Sequence, residues 1–357
     1  MQSVVDDYDD YVAWLRTQCE VVEEGLVKKR ETMAQSPFGL MRATYFRWAR
    51  TAPSFASHLA DAPLALCVGD IHVENFGTWV DAEGRRVWGV NDFDEGAVMP
   101  YALDLVRLLV SALLAPSLDG LRPSEAAAAV LEGYRLGLNV RSPRFVEHGG
   151  LWFRTLLAGL QDEADKFWSD FRKYDAASPP KSVAQALKNA LPRGHTDLRF
   201  LTKQKGAGSL GRPRYMAFAK WQGGAVAREA KAIVPSAWDW ASGALFAPRG
   251  LAISDGSYRS PDASLLRSGD FVIRRIGSDA RKLDLKDVKR SARGAQMLRA
   301  MAADLAAVHA ATGRVDAIEA HIKRQAKGWL LETAKAAKSQ IEVDFRVWGK
   351  AFRSGRA

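Results

Sequence analysis

A short apolar segment that runs into a polar loop gives the sharpest local signal in this sequence. Residues 64–68 read Leu-Ala-Leu-Cys-Val and are followed by Gly69 and Asp70, which is typical of a buried strand leading into a loop. The same loop also carries Asn75. We therefore expect an aspartate and an asparagine side chain to lie together just beyond the end of one strand.

A hairpin is predicted directly after this loop. Residues 76–80 and 87–90 are apolar or aromatic, and the Asp-Ala-Glu-Gly stretch at 81–84 between them is a typical turn sequence. The second strand of a hairpin returns to the edge at which the first one began. Asp92, which follows the second strand, is therefore predicted to lie beside the loop that begins at Asp70.

These side chains are the parts that phosphoryl transfer requires. A carboxylate such as Asp70 must orient the attacking hydroxyl or accept its proton, while an asparagine oxygen and a second carboxylate, here Asn75 and Asp92, hold Mg²⁺. Two alternatives stay open. Asp and Asn commonly cap turns, so either residue alone fits a structural role. A hydrolase metal site built from His72, Asp92 and Asp94 is disfavoured, because no second histidine lies nearby.

A glycine-rich loop occurs much later in the chain. Its sequence fits G-x-G-x-x-G, with Gly206, Gly208, Ser209 and Gly211 as the candidate phosphate-binding residues. The strand-like segment 214–219 follows, so the order is strand, loop, strand, as in kinases, and not the loop-to-helix order of dinucleotide folds. Lys231 lies in the next predicted strand and is the candidate phosphate anchor, with Lys220 as its competitor. A glycine-rich turn that binds no ligand is the alternative.

Periodicity predicts a mixed α+β chain. Strands are predicted at 199–203, 214–219, 226–231 and 271–276. Helices are predicted within 1–35, at about 101–115, 124–138, 144–174 and 181–191, from about 283, and at about 317–352. The sequence thus predicts helices, then a small sheet, then helices again.

Charge and cysteine content narrow the class of protein. The formal net charge of +10 favours an anionic partner, such as nucleic acid, a phosphate-bearing metabolite or a nucleotide. No basic run resembles a nucleic-acid tail, but charge alone does not decide among these partners; the motifs above favour a nucleotide over nucleic acid. Two cysteines make no disulfide framework. The N-terminus lacks the order of a secretory signal, and the longest apolar stretch, 103–118, is interrupted by charges. A cytoplasmic protein without a membrane segment is expected.

The motifs also resemble a known family. Gly-Asp-x-His-x-x-Asn at 69–75, followed by Asn-Asp-Phe-Asp at 91–94, resembles the catalytic loop and metal motif of aminoglycoside phosphotransferase-like kinases. A longer pattern, with Ser-Pro-Phe at 36–38 and Asp-Leu-x-Arg-Leu at 104–108, resembles the bacterial domain of unknown function 2252 family. The resemblance implies that Asp70 is the catalytic base, that Asn75 and Asp92 are Mg²⁺ ligands, and that Asp94 is an additional ligand.

The order of the motifs differs from that of ordinary kinases. There the glycine loop and its lysine precede the catalytic loop, whereas here they follow it by about 130 residues. We therefore expect a circularly permuted, protein-kinase-like two-lobed fold with a small antiparallel sheet lobe and a larger helical lobe. The predicted divisions are an N-terminal helical extension (1–60), a catalytic part (61–195), a nucleotide-binding sheet (196–280) and helices that complete the large lobe (281–357).

The expected activity is Mg²⁺-dependent transfer of the γ-phosphoryl group of ATP to a hydroxyl acceptor, with a small molecule expected as the acceptor. One part is missing: kinases pair the strand lysine with a helix glutamate, but no glutamate occurs between Glu229 and Glu319. We expect Asp239, Asp255 or Asp270, or a carboxylate from the N-terminal helices, to substitute for it. A pseudokinase or nucleotide-binding regulatory module, and a protein AMP-transferase, are the alternative hypotheses.

Overall fold

The computed structural model of this chain describes residues 2–148, 164–202, 208–244, 246–280 and 291–357. These residues form a mixed α+β structure with several small antiparallel sheets and many helices, as predicted. The α-helices are α1 (Val4–Gln18), α2 (Glu23–Gln35), α3 (Pro37–Ala43), α4 (Tyr45–Phe55), α5 (Tyr101–Leu114), α6 (Pro123–Val140), α7 (Ala164–Asp170), α8 (Lys181–Ala190), α9 (Ala237–Ala241), α10 (Gly250–Ser254), α11 (Ser291–Ala310), α12 (Val315–Arg324) and α13 (Trp329–Arg353).

The strands form three antiparallel sheets. They are β1 (Leu64–Cys67), β2 (Phe76–Val80), β3 (Arg86–Val90), β4 (Ala97–Pro100), β5 (Arg144–Phe145), β6 (Asp175–Ala176), β7 (Thr196–Thr202), β8 (Arg214–Trp221), β9 (Gly224–Ala232), β10 (Leu266–Ser268) and β11 (Phe271–Ile276). β1 pairs with β4, and β2, β3 and β5 form a second sheet in that order. The largest sheet has six strands in the order β10-β11-β9-β8-β7-β6.

The predicted hairpin forms where the sequence placed it. Val80 pairs with Arg86 at its closed end and Phe76 with Val90 at its open end, so the chain returns to its starting edge. The side chain of Asp81 closes the turn by accepting hydrogen bonds from the backbone N–H groups of Glu83 (3.0 Å) and Arg85 (2.9 Å). This turn chemistry is what fixes the register that delivers residues 91–95 to the loop at 69–75.

Two helix predictions were wrong in detail. The single helix predicted at about 317–352 is divided, since α12 ends at Arg324 and α13 begins at Trp329, with Gly328 between them at a φ of +84°. The segment 144–174 begins as a strand, because Phe145 pairs with Val87 at the edge of the hairpin sheet. The guanidinium of Arg85 lies over the ring of Phe145, 4.2 Å from the ring centre. Within the described part of that segment, the α-helix is confined to Ala164–Asp170. Short apolar runs fit an edge strand and a helix equally well by periodicity, so only the pairing partner decides.

The helical core depends on a close helix contact. A Cβ atom at Gly133 of α6 would lie 2.2 Å from the carbonyl oxygen of Arg299 in α11, and one at Gly137 would lie 2.3 Å from that of Ala303. The two helices approach this closely only because these positions lack side chains. The contact fixes α11, which supplies two buried side chains to the site described below. None of the helices in the described ranges has the length and apolar character needed to cross a bilayer.

Candidate functional site

A buried carboxylate anchors the start of the polar loop at residues 69–75, which we call the Asp70 loop. Asp104 of α5 is fully buried and accepts hydrogen bonds from the backbone N–H groups of Val68 (2.8 Å) and Gly69 (3.0 Å). Nε2 of His309 lies 3.2 Å from the same carboxylate, and its Nδ1 lies 2.8 Å from the hydroxyl of Tyr134. The chain is therefore held rigidly at the point where β1 becomes the loop, and His309 has a bracing role.

One group of atoms in this brace is of the kind that binds metals. The ligand atoms of Cys67, Asp104 and His309 lie within 4.8 Å of one another, and all three residues are buried. Both Asp104 oxygens already accept backbone hydrogen bonds. Because the same oxygens hold the loop in place, the cluster is explained by its bracing role.

Asp70 itself is paired with a buried arginine. One of its carboxylate oxygens, Oδ1, accepts a very short hydrogen bond from Nη2 of Arg107, which also donates to the carbonyl oxygen of Met41 (2.9 Å). The side chain of Asp70 is 17% exposed. Burial raises the pKa of Asp70 to about 6, although Arg107 opposes the rise. The result is an oriented carboxylate whose pKa lies close to neutral pH, as a general base requires.

Asn75 joins the Asp70 loop to the segment after the hairpin. Its side-chain Nδ2 donates to the carbonyl oxygens of Asp70 and Asp92, at 3.2 Å each. Its Oδ1 is buried and accepts no hydrogen bond from the described residues, and the same is true of Oδ1 of Asn91. Two amide oxygens and the nearby carboxylates thus make an oxygen-rich group of the kind that binds Mg²⁺.

Two residues far along the chain fix the end of the hairpin. Asp304 of α11 accepts a hydrogen bond from the N–H of Val90 (2.8 Å), and a Cβ at Gly89 would lie 2.6 Å from its carboxylate. Arg259 donates to Asp304 (3.1 Å) and to the carbonyl oxygen of Val90 (2.6 Å), and its guanidinium lies 5.2 Å from the ring centre of Phe93. Sequence reasoning missed both residues.

The glycine loop lies against the Asp70 loop. A Cβ at Gly208 would be 2.8 Å from Oδ2 of Asp70, so the backbone at this position lies close to the carboxylate and leaves no room for a side chain. Ser209 accepts a hydrogen bond on its Oγ from Nη2 of Arg214 (3.1 Å). Gly211 has a φ of +93°, which favours glycine, while Gly206 lies outside the described residues. Of the described glycines of this loop, Gly208 lies beside Asp70 and Gly211 packs against Leu26.

Lys231 reaches the same place from β9. Its Nζ lies 3.1 Å from Oδ1 of Asp92 and forms a shorter ion pair with Asp94. Lys220, the competing candidate, pairs with Asp197 and is 62% exposed. The structure therefore brings Lys231, not Lys220, to the acidic segment after the hairpin. Among the described residues, two aspartates hold this lysine in place of a helix glutamate.

In the part of the chain that the structure describes, Lys231 pairs with Asp92 and Asp94 and not with Asp239, Asp255 or Asp270. Asp239 lies 3.5 Å from Nη1 of Arg249. Glu229, two residues before Lys231 on the same face of β9, binds Arg214 at 2.8 Å and Arg274 at 2.7 Å. Although burial opposes its ionisation, Arg214, Arg274 and Lys231 together lower the pKa of Glu229 to about 2. Glu229 therefore stays ionised and fixes Arg274, a cation that the sequence prediction did not include.

A cleft opens between the sheet and the acidic segment. The empty space within and at the mouth of the cleft is about 650 Å³, part of which is open to solvent. Its polar lining comes from Asn91, Asp92, Asp94, Lys231, Arg267 and Arg274, and its apolar lining from Phe93, Ile233, Pro248, Leu251, Leu265 and Val272. A charged end and an apolar wall in one cleft suit a ligand with a phosphate-bearing part and a flat apolar part.

A buried ion pair joins the glycine loop to the acidic segment. Arg212 donates to Glu95 (2.5 Å) and to the hydroxyl of Tyr11 (2.9 Å). The other oxygen of Glu95 accepts a hydrogen bond from the N–H of Ala237 (2.6 Å). Removing one partner of such a buried pair is strongly destabilising, so this contact holds the two segments in register. Glu95 follows Asp94 directly in the sequence, which was the only available clue to it.

Two further residues near Asp70 have structural partners. Arg42 forms a salt bridge with Glu74 (2.6 Å). His72 is buried and accepts a hydrogen bond on Nδ1 from the N–H of Glu74 (3.2 Å). Both contacts stabilise the conformation of the Asp70 loop.

Comparisons with known proteins support part of the resemblance. Residues 21–139, about a third of the chain, match the model of a family described as an uncharacterized protein conserved in bacteria (DUF2252). The matched stretch contains the Asp70 loop and the acidic segment after the hairpin, but not the glycine loop or Lys231. Neither the curated proteins nor the solved structures contain a match to this chain.

Proposed function

We propose that this protein is an ATP-dependent phosphotransferase, which uses Mg²⁺ and transfers the γ-phosphoryl group to a hydroxyl acceptor. One observation carries the proposal: three segments far apart in the sequence come together. Gly208 lies beside Asp70, Asn75 joins the Asp70 loop to Asp92, and Lys231 pairs with Asp92 and Asp94. Phosphoryl transfer depends on such a grouping of a carboxylate, metal-binding oxygens and a phosphate-binding cation.

Asp70 is the proton acceptor in this proposal. The acceptor oxygen forms a bond to the γ-phosphorus, the bond between that phosphorus and the bridging oxygen of ADP breaks, and the acceptor proton passes to the Asp70 carboxylate. Arg107 orients that carboxylate through Oδ1. With a pKa of about 6, Asp70 is mostly ionised at neutral pH and still basic enough to take a proton.

The oxygen atoms near Asp70 fit a magnesium ion. The buried Oδ1 atoms of Asn75 and Asn91, which accept no hydrogen bond from the described residues, and the carboxylates of Asp92 and Asp94 are the hard ligands that Mg²⁺ prefers. When bound, the ion neutralises phosphate charge. Lys231, which these carboxylates hold, supplies a fixed positive charge for the nucleotide phosphates.

Arg274 extends the phosphate-binding role to β11. Nε and Nη2 of its guanidinium bond to Glu229, at 2.8 and 2.7 Å, and the residue lines the same cleft as Lys231. An arginine held in this way is preorganised to bind phosphate oxygens. The apolar wall formed by Ile233, Leu251 and Val272 is suited to a nucleotide base.

The kinase-like, circularly permuted arrangement is part of the same proposal. The six-stranded sheet contains Lys231, and the glycine loop between its strands β7 and β8 contacts α2 through Val22 and Lys29. This is the arrangement expected of a small sheet lobe and a large helical lobe. The four predicted divisions at 1–60, 61–195, 196–280 and 281–357 follow this arrangement and stay a prediction.

Calorimetric titration with ATP, with and without Mg²⁺, tests the proposal. We expect Mg²⁺-dependent binding to the wild-type protein and at least tenfold weaker binding to the Lys231→Met variant. The Lys220→Met variant is the matched control, because Lys220 lies on the neighbouring strand and outside the cleft, and it should bind as the wild type does. Absence of ATP binding to the wild type would refute the proposed function.

A nucleotide-binding module without turnover is the second candidate. It is favoured by the pairing of Lys231 with two aspartates rather than with a glutamate. Phosphorus NMR of a long incubation with Mg²⁺-ATP distinguishes the candidates. Production of ADP supports γ-phosphoryl transfer. Release of pyrophosphate together with an AMP adduct supports AMP transfer, and unchanged ATP in a protein that binds it supports the non-catalytic module.

A further inference from the structure

The first two helices lie directly on the glycine loop. The N–H of Val22, between α1 and α2, donates to the carbonyl oxygen of Gly211 (2.9 Å). A Cβ at Gly211 would lie 2.5 Å from Cδ2 of Leu26, so this part of the loop packs tightly on α2. Tyr11 of α1 accepts a hydrogen bond from Arg212 at the end of the loop. Residues 208–212 therefore pack against α1, α2 and the break between them at residues 19–22.

Lys29 of α2 contacts the same loop from a buried position. It is 2% exposed, and its Nζ donates to the carbonyl oxygen of Gly208 at 2.9 Å. Its ammonium group lies 5.9 Å from the ring centre of Tyr11 and 6.0 Å from that of Phe46. It forms a hydrogen bond to a neutral carbonyl group and, among the described residues, no ion pair with a carboxylate.

Burial of such a lysine makes the free energy of folding less favourable. A buried cation without a directly paired anion is destabilising, and an apolar side chain of similar length would fill the same space. The charged groups that face Lys29 are Arg212, Glu95 and Asp70. A charge retained at this cost, next to the glycine loop and the candidate base, is better explained by a role in the site than by stability.

The contact made by Gly208 indicates what that role is. Oδ1 of Asp70 is bonded to Arg107, and Oδ2 lies against the backbone of Gly208. With the loop in this position, Gly208 lies beside Oδ2, the carboxylate oxygen that Arg107 does not bind. The atom that Lys29 holds, the carbonyl oxygen of Gly208, belongs to the residue that covers the base.

We propose that Lys29 is a positioning residue that holds Gly208 over Asp70, so that the N-terminal helix pair controls the access of the acceptor to the base. This inference rests on the proposed function, because it assigns Asp70 and the glycine loop the roles given above. Loss of the tether frees residues 208–212 and exposes Oδ2 of Asp70 to water, the simplest hydroxyl acceptor.

Two measurements on the intact chain test this inference. Hydrogen exchange of the amides at 208–212 is compared among wild type, Lys29→Met, Lys29→Gln and the control Lys28→Met, since Lys28 is exposed on the same helix. We expect exchange at least tenfold faster in both Lys29 variants and unchanged in the control. Hydrolysis of Mg²⁺-ATP without an added acceptor should rise at least threefold in kcat for the Lys29 variants, while the Kd of Mg²⁺-ATP stays within threefold.

The outcomes separate this inference from the proposed function. Unchanged exchange at 208–212 in folded Lys29 variants, or hydrolysis that stays equal or falls while Mg²⁺-ATP still binds, would overturn the positioning role and leave the proposed function standing. Wild-type protein that binds no ATP would overturn the proposed function. The exchange experiment would then still report whether Lys29 holds the loop, because it requires no nucleotide.

Discussion

Replacing Lys29 by methionine should make stability less dependent on pH. Burial lowers the pKa of Lys29 from 10.5 to about 8 in the folded protein, with Arg212 adding to the effect and Glu95 and Asp70 opposing it. The unfolded chain therefore binds more protons than the folded protein between about pH 8 and 10.5. Stability consequently rises with pH across that window.

The size of this effect follows from the two pKa values. Each pH unit of difference corresponds to about 1.4 kcal/mol, so the change from 10.5 to about 8 contributes on the order of 3 kcal/mol. Below pH 8 the wild type bears this full cost of a buried ammonium group, and methionine removes it. Loss of the hydrogen bond to the Gly208 carbonyl oxygen offsets about 1 kcal/mol. Lys29→Met should therefore be about 2 kcal/mol more stable than the wild type at pH 7.

Urea unfolding at pH 7 and at pH 10 measures the effect. We expect the advantage of Lys29→Met at pH 7 to shrink towards zero at pH 10, where most of the wild-type Lys29 is neutral. Lys28→Met, a change of the same type on the exposed side of α2, should change stability by less than about 0.5 kcal/mol at either pH. A Lys29→Met protein that is less stable than the wild type at pH 7 would refute this reasoning.

Three further predictions concern the candidate site. Burial raises the pKa of Asp70 from 3.8 to about 6, so between these pH values the folded protein binds a proton that the unfolded chain does not. The free energy of unfolding of the wild type, measured in urea, should therefore fall by about 3 kcal/mol from this group as pH rises through that window, and Asp70→Asn should lack the fall. Gly208→Ala places a methyl group 2.8 Å from Oδ2 of Asp70 and should lower the free energy of unfolding by about 1–3 kcal/mol. Gly120→Ala, whose methyl group meets no atom within 4 Å, should not lower it, and equal unfolding midpoints for the two variants would contradict this prediction. Arg274→Met should weaken Mg²⁺-ATP binding about tenfold in calorimetry. Arg275 lies on the opposite face of β11, so Arg275→Met is the control, and equal affinities of the two variants would remove Arg274 from the site.

Local sequence signals were sufficient for the segments that carry the candidate chemistry. The apolar run before Asp70, the turn at 81–84 and the strand pattern around Lys231 are each encoded within about ten residues, and the structure contains all three. The approach of Lys231 to Asp92 spans 139 positions, and it was predicted only because the two motifs together resembled parts of one kind of site.

The residues that the sequence did not reveal have partners far along the chain. Lys29 contacts Gly208 across 179 positions, and Arg212 contacts Glu95 across 117. A lysine on a helix and an arginine beside a proline are ordinary surface residues in sequence, and burial alone distinguishes them. Their function follows from tertiary contacts that no local period encodes.

The same limit explains the wrong prediction at residues 144–174. Phe145 and Val146 lie in a segment whose sequence pattern predicts a helix. The edge of β3 pairs with this segment instead, and Val146 donates its N–H to the carbonyl oxygen of Arg86 (2.9 Å). An exposed sheet edge captures an apolar segment that reaches it. Pairing with a distant strand overrode the local pattern.

The central claim is that Mg²⁺-ATP binds where the Asp70 loop, the glycine loop and Lys231 meet. A crystal structure of the protein grown with Mn²⁺ and a non-hydrolysable ATP analogue tests it most directly, because Mn²⁺ scatters anomalously. The account predicts an anomalous peak in contact with Asn75 and Asp92, and the triphosphate beside Gly208 and Lys231. Nucleotide bound at another surface, or a metal peak remote from both residues, would contradict it.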